Sequence, residues 1–169
     1  VVSVERCGLT LTSAPEGIQA TSWAEAVAPA RADRAGRYAV PVAAVDADHP
    51  LWVLYSSGTT GTPKGIVHGH AGVLAAHVAL LGLQHDLGPE DTLFWYTTTN
   101  WMLWNIVVSA LLVGATTVTY EGNPAHPTPD RLWQIVADEG VTMFGTSPGH
   151  LVGSRGAGLE PAREHDLGA

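Results

Sequence analysis

From residue 51 onward, short apolar runs alternate with longer stretches of helical periodicity. "LWVLYS" is a continuous apolar run of strand length, the pattern of a buried strand. "HAGVLAAHVALLGL" places Val73, Leu74, His77, Val78 and Leu81 on one helical face. "GPED" predicts a turn and "TLFWYTT" a strand. "WMLWNIVVSALLVG" predicts a helix stopped by its glycine, and "ATTVTYEG" a further strand. "TPDRLWQIVADEG" gives the clearest helix, with Thr128 or Asp130 near its start and Gly140 as its C-terminal cap. "VTMFGTS" continues as a strand, and "PGHLVGSRGAG" begins a short helix. Strands alternating with helices imply an α/β fold: a mostly parallel sheet with helices on both faces.

Before residue 51 the pattern is weaker. "VVSVERCGLT" reads as an opening strand, and residues 11–50 are rich in Ala and Pro. Within them "SWAEAVAPA" predicts a short helix, with Ser22 as N-cap and Glu25 three residues on. The expected division is residues 1–50, an opening strand and connecting segment, and residues 51–169, the main unit. The first residue is not Met and the tail "GLEPAREHDLGA" is polar, so the chain reads as a piece of something longer.

Composition narrows the picture. Apolar residues make up 46% of the 169 and charged residues 14%, which fits a folded chain with a real core. Eight basic against 16 acidic residues give a net charge of −8, which disfavours a nucleic-acid backbone as partner. Cys7 is the single cysteine. It rules out an intrachain disulfide framework or a thiolate zinc cluster, and fits a reducing, cytoplasmic setting. No signal peptide is visible at the start. Thr92 to Tyr120 carries no charge and approaches membrane-spanning length. Asn100, Asn105, Ser109, Gly114 and the β-branched second half favour a buried helix followed by a buried strand over a membrane span.

The chemistry concentrates in "YSSGTTGTPKG", Tyr55 to Gly65. Gly58, Gly61 and Gly65 allow close backbone approach and positive φ. Ser56, Ser57, Thr59, Thr60 and Thr62 offer hydroxyls, and Lys64 offers a compact positive charge. Placed between a strand and the helix expected after it, such an array suits a polyphosphate. It is not a Walker A loop, because no hydroxyl follows Lys64 to hold magnesium and Pro63 has no N–H. A Gly/Ser/Thr-rich surface turn is the plain alternative. His68, His70 and His77 sit at a spacing that fits zinc poorly, and packing or supporting polar roles are expected for them. Trp52, Trp95 and Trp133 fall within apolar patterns and are expected in the core. Cys7 has only Arg6 as a basic neighbour in sequence and is not read as a nucleophile.

With all its positions matched, "YSSGTTGTPKG" resembles the phosphate-binding signature of the adenylate-forming superfamily. That group contains acyl-CoA synthetases, luciferases and peptide-synthetase adenylation domains. "DHPLWVLYSSGTTGTPKGIVHGHAGVL", "HDLGPEDTLFWYTTTNWMLWN" and "SALLVGATTVTYEGNP" are together similar to acetoacetyl-CoA synthetases. Acetyl- and propionyl-CoA synthetases are the next nearest. The resemblance implies part of the large N-terminal domain of an adenylate-forming enzyme, truncated at both ends. It implies that a short-chain carboxylate, acetoacetate favoured, is activated by ATP as an acyl-adenylate and passed to coenzyme A.

On that resemblance, Ser57, Gly58, Thr59, Thr60, Gly61, Thr62 and Lys64 bind the phosphates of ATP, and Trp101 and Met102 contact the acyl group. Asn100 stands where the family's pattern has glycine, a departure that bears on the shape of the acyl pocket. Mg²⁺ is implied as a cofactor with ligands outside this chain, and coenzyme A as a co-substrate. No catalytic residue and no metal ligand is assigned within the 169 residues. A Tyr-Gly-x-Thr-Glu stretch, a ribose-binding aspartate and a C-terminal catalytic lysine do not occur after Ser147, so the chain is expected to be inactive alone. The competing readings are a non-catalytic α/β binding or interaction module and an unrelated nucleotide-binding enzyme such as a kinase.

Overall fold

The computed structural model describes residues 2–3, 21–22, 24–25, 27–28, 42–56 and 61–168. They belong to two units, divided between Ala44 and Val45.

In the first unit, β1 (Val2–Ser3) runs parallel to β2 (Thr21–Ser22). Residues 24, 25, 27 and 28 are helical, and Ser22 and Glu25 cap them as expected. Ser22 Oγ accepts the Glu25 N–H at 3.2 Å, and Glu25 Oε2 accepts the Ser22 N–H at 2.9 Å. The reciprocal bonds satisfy two N–H groups that a helix start leaves open. They also hold the Glu25 carboxyl below its ordinary pKa, the Ser22 N–H contributing most. Cys7 lies outside the described residues.

The second unit opens on a hairpin. β3 (Pro50–Ser56) pairs antiparallel with β4 (Lys64–Gly69), placing Trp52 opposite His68, Tyr55 opposite Gly65 and Ser56 opposite Lys64. The sequence pattern leads from the loop directly into a helix, and the structure corrects it. Ile66 and Val67 are β-branched, and they lie opposite Leu54 and Val53, where such side chains pack well on a pleated surface. The helix therefore starts only at His70. Bonds from the N–H groups of His70 and Ala71 to the carbonyls of His49 and Ala47, at 3.1 and 2.8 Å, fix the foot of the hairpin.

α1 (His70–Val78) widens into a π turn over Ala79–Gln84, closed by the His85 N–H on the Leu80 carbonyl at 3.0 Å. β5 (Thr92–Trp95) follows, then α2 (Leu103–Ser109) with a 3₁₀ extension over Ala110–Val113, and β6 (Thr116–Val118). α3 (Arg131–Asp138), β7 (Met143–Gly145), α4 (Pro148–Gly156) and α5 (Pro161–Glu164) complete the order. The uncharged stretch from Thr92 to Tyr120 is thus β5, α2 and β6. No helix among the described residues is long and apolar enough to cross a membrane.

β5 is the centre of a parallel sheet of order β6-β5-β7. Its alternation explains why helices cover both faces. Leu93, fully buried, packs with Leu81, Ile106 and Ala110 from the α1 and α2 side. Its neighbour Phe94, equally buried, points the other way onto Leu132, Ile135 and Val136 of α3. Burying side chains of this size contributes about 1.5–3 kcal/mol each. The mostly parallel α/β architecture read from the sequence is what the sheet shows, with the hairpin as an antiparallel addition.

Glycine ends the helices where the pattern places it. Gly140 has φ 57°, its N–H bonds the Ala137 carbonyl at 3.3 Å, and the Val141 N–H bonds the Val136 carbonyl at 3.0 Å. These are the two bonds of a Schellman cap. Gly114, at φ 84°, closes the 3₁₀ extension of α2 in the same way. The start of α3 differs from a simple side-chain cap. Thr128 Oγ1 and Asp130 Oδ2 both accept from Gln134 Nε2, at 3.1 and 3.0 Å.

Candidate functional site

Of the loop residues singled out in the sequence, Gly61, Thr62 and Lys64 are described; Ser57, Gly58, Thr59 and Thr60 lie outside the described residues. Gly61 has φ 154°, a conformation that a Cβ disfavours. Lys64 is exposed and opens β4 directly opposite Ser56, the last residue of β3. Strand pairing therefore closes the neck of the loop and fixes where the ammonium leaves the backbone. The glycine after the lysine has a steric reason. A Cβ at Gly65 would stand 3.2 Å from Val53 Cγ1 and 3.4 Å from the Tyr55 ring. Because the loop joins two strands, Lys64 stands at the start of a strand rather than at a helix N-terminus. The helix that the sequence places directly after the loop begins instead at His70, after β4.

Two clefts flank the segment that follows β5, and Thr99 belongs to both. The first, of about 500 Å³, opens at the carboxyl ends of β5 and β6, where ligands collect in α/β sheets. Its aromatic walls are Trp95, Tyr96, Trp104 and Tyr120, with Thr97 and Thr98 adding hydroxyls. Tyr96 Oη donates to the Gly122 carbonyl at 2.9 Å and holds the far wall. The second cleft, of about 460 Å³, lies between β3 and the start of α2. Val53, Leu54 and Tyr55 form one side of it, and Asn100, Trp101, Met102 and Asn105 the other.

Trp101 and Met102 thus share a cleft with Tyr55, the residue just before the neck of the loop. Trp101 and Trp104, three residues apart in sequence, lie in different clefts. Trp95, expected in the core, is half-buried and serves as a cleft wall as well as a packing partner of the Leu93 cluster. Trp133 is also half-buried; its ring meets Phe144 edge-on at 5.1 Å, and its Nε1 donates to Ser154 Oγ at 3.2 Å. The first cleft is absent from the sequence reading. Its signal, aromatic residues clustered at the ends of two strands, becomes visible only once β5 and β6 are known to be neighbours.

A smaller cavity of about 170 Å³ lies behind the second cleft and shares Leu54, Met102 and Asn105 with it. His68 and His77 line this cavity. His77 Nδ1 is hydrogen-bonded to the buried Ser109 Oγ at 2.7 Å, and its ring lies 5.8 Å from that of Trp52. No three His, Cys, Asp or Glu side chains gather as a cation site among the described residues.

Burial, and secondarily His68, lower the pKa of His77, and burial alone lowers that of His150. The unfolded chain then binds protons that the folded chain refuses, in the window from the ordinary value of 6.5 downward. Stability from these groups is fully present above that value and declines as the pH drops below it. Urea unfolding between pH 5 and 8 should show this decline, flattened in His77→Gln. Equal slopes in the two proteins would contradict the assignment to His77.

The model of the AMP-binding enzyme family matches residues 4–167. The chain is 41% identical over 119 residues to an acetoacetyl-CoA synthetase of Gallus gallus, covering 70% of this chain and 18% of that protein. It is 44% identical over 119 residues to an acetoacetyl-coenzyme A synthetase of Rhizobium meliloti (strain 1021), with the same two coverages. An acetyl-coenzyme A synthetase of Pyrobaculum aerophilum is 45% identical over 127 residues, 73% of this chain and 19% of its own. Among solved structures, acetoacetyl-CoA synthetase from Streptomyces lividans superposes with a TM-score of 0.79 at 46% identity, covering 98% of this chain and 24% of its own. The chain therefore spans about a fifth to a quarter of the length of these relatives.

Proposed function

Because the chain belongs to the AMP-binding enzyme family, we propose that the protein carrying it is an acid–thiol ligase that activates a short-chain carboxylate, acetoacetate in preference. A carboxylate oxygen attacks the α-phosphorus of ATP, the bond to the β-phosphate oxygen breaks, and pyrophosphate leaves. The thiol sulfur of coenzyme A then attacks the acyl carbon, AMP leaves, and the thiol proton passes to solvent. The observation that carries this reading is the 46% identity to acetoacetyl-CoA synthetase from Streptomyces lividans across nearly the whole chain.

Ser57, Gly58, Thr59, Thr60, Gly61, Thr62 and Lys64 are assigned to the β- and γ-phosphates. Their task is positioning and electrostatic stabilisation of the departing pyrophosphate, with no covalent step. Lys64, exposed at a neck fixed by strand pairing, suits that task. Hydroxyls and an ammonium match phosphate oxygens rather than a bare divalent cation, which prefers carboxylates and water. Magnesium is accordingly assigned to the ATP phosphates, where it would neutralise charge, with any protein ligands outside these residues. Trp101 and Met102 are assigned to the acyl group, supported by the cleft they share with Tyr55 at the root of the loop.

The Pyrobaculum aerophilum relative favours a second reading within the family, with acetate as the carboxylate. Exchange of labelled pyrophosphate into ATP, measured on the protein that carries these residues, separates the possibilities. Exchange is expected with acetoacetate and weaker exchange with acetate. The opposite order selects the second reading. No exchange with any short carboxylate leaves a binding module without catalysis.

A further inference from the structure

We infer that Asn105 selects the acyl substrate: its amide recognises a second oxygen, a 3-oxo carbonyl, on the carboxylate held in the cleft beside the loop. The inference rests on the carboxylate-activation reading above and adds to it the group that reads the acyl chain.

Thr99 and Asn100 line the cleft beside apolar walls formed by Val53, Leu54, Tyr55, Trp101 and Met102. Asn105 interrupts them. It sits in the first turn of α2, is half-buried, and borders both this cleft and the cavity behind Met102. Its backbone N–H bonds the Met102 carbonyl at 3.1 Å, so the backbone at that point is fixed. Its side-chain amide has no hydrogen-bond partner among the described residues.

Two nearby polar groups are already bonded within the protein. Ser109, one turn further along the same helix, is bonded to His77, and the Thr98 hydroxyl donates to Asn100 Oδ1 at 2.5 Å. The amide meets water in the open cleft, and a ligand that displaces this water must replace its hydrogen bond. A ketone oxygen does so by accepting from Nδ2. A plain methylene at the same carbon would displace water from the amide and return no hydrogen bond. A site of this kind discriminates by penalising the analogue that lacks the polar group.

Acetoacetate and butyrate have the same chain length and differ by a carbonyl in place of a methylene, so they isolate the contribution of the amide. Pyrophosphate exchange should give the unmodified protein a higher kcat/KM on acetoacetate than on butyrate. Asn105→Leu should lower kcat/KM for acetoacetate by about tenfold to a hundredfold, the range of one lost buried hydrogen bond. Butyrate should stay within about threefold or improve, which also reports an intact fold. Asn105→Met, an uncharged side chain without a donor, should show the same selective loss.

Losses of equal size on both carboxylates, or none, in both variants would overturn the role of the amide. So would an unmodified protein that uses butyrate as well as acetoacetate, although activation itself would then stand. Absence of exchange with every carboxylate would bring down the activation reading, and this inference with it.

Discussion

Lys64→Ala is expected to slow carboxylate-dependent exchange of pyrophosphate into ATP by about a hundredfold to a thousandfold, the usual loss when one preorganised charge-stabilising group is removed. The reasoning starts from where the ammonium stands. Lys64 opens β4 opposite Ser56 and is exposed, so its charge projects from a neck held by strand pairing. A flexible loop carrying the same lysine would have to order it during the reaction. A paired neck has already ordered the backbone at Lys64 and leaves only the side chain to be placed, which is how positioning lowers a barrier. Removing an exposed side chain costs the fold little, so the melting temperature should stay within about 2 °C of the parent. Lys64→Arg should recover only part of the rate, because a planar fork replaces a compact charge. A loss below about threefold in Lys64→Ala would remove the residue from the pyrophosphate site.

Gly145→Val should produce a large loss of stability in the sheet. Gly145 lies on β7 directly opposite Trp95. A Cβ there would sit 2.1 Å from Trp95 Cδ2 and 2.5 Å from Cε2 and Cε3, far inside van der Waals contact. The indole cannot yield easily, because it also packs against the cluster of Leu93, Leu81 and Ile106. Overpacking of this kind costs about 1–3 kcal/mol and occasionally more. Val carries two further methyl groups into the same space, so about 3 kcal/mol is expected by urea unfolding. Gly145→Ala should fall lower in the same range. Trp95 lines the first cleft, and its fluorescence maximum should shift even under conditions where the variants stay folded. An unchanged stability in Gly145→Val would mean that the sheet opens there without cost.

The elements most legible in the sequence are those whose pattern is local. The helix over 131–138 and its glycine stop follow from periodicity and one backbone conformation. So does the reciprocal bond of Ser22 with Glu25. The parallel sheet follows from alternation, since Leu93 and Phe94 can both be buried only if both faces are covered. The hairpin was not legible: "KGIVHG" is too short to show a period, and its strand character comes from Val53 and Leu54 across the ladder. The clefts were not legible for the same reason. Trp101 stands out in the sequence beside Met102, yet its separation from Trp104 depends on which way successive side chains leave the start of α2. Asn105 gives no signal of this role as a sequence letter, because its lack of a partner among the described residues is a property of its surroundings.

The empty space at Gly145 also bears on how the sheet finds its pairing. A slip of β7 by one residue would send its side chains to the wrong faces, and the hydrophobic pattern alone rejects it. A slip by two keeps every side chain on its proper face, so that pattern gives no warning. After such a slip Trp95 would stand opposite Met143 or Ser147 instead of Gly145, and a side chain would occupy the place of the indole. The missing Cβ therefore works as a keyhole that only one alignment of β5 and β7 can use. A residue without a side chain makes the correct register the one that closes.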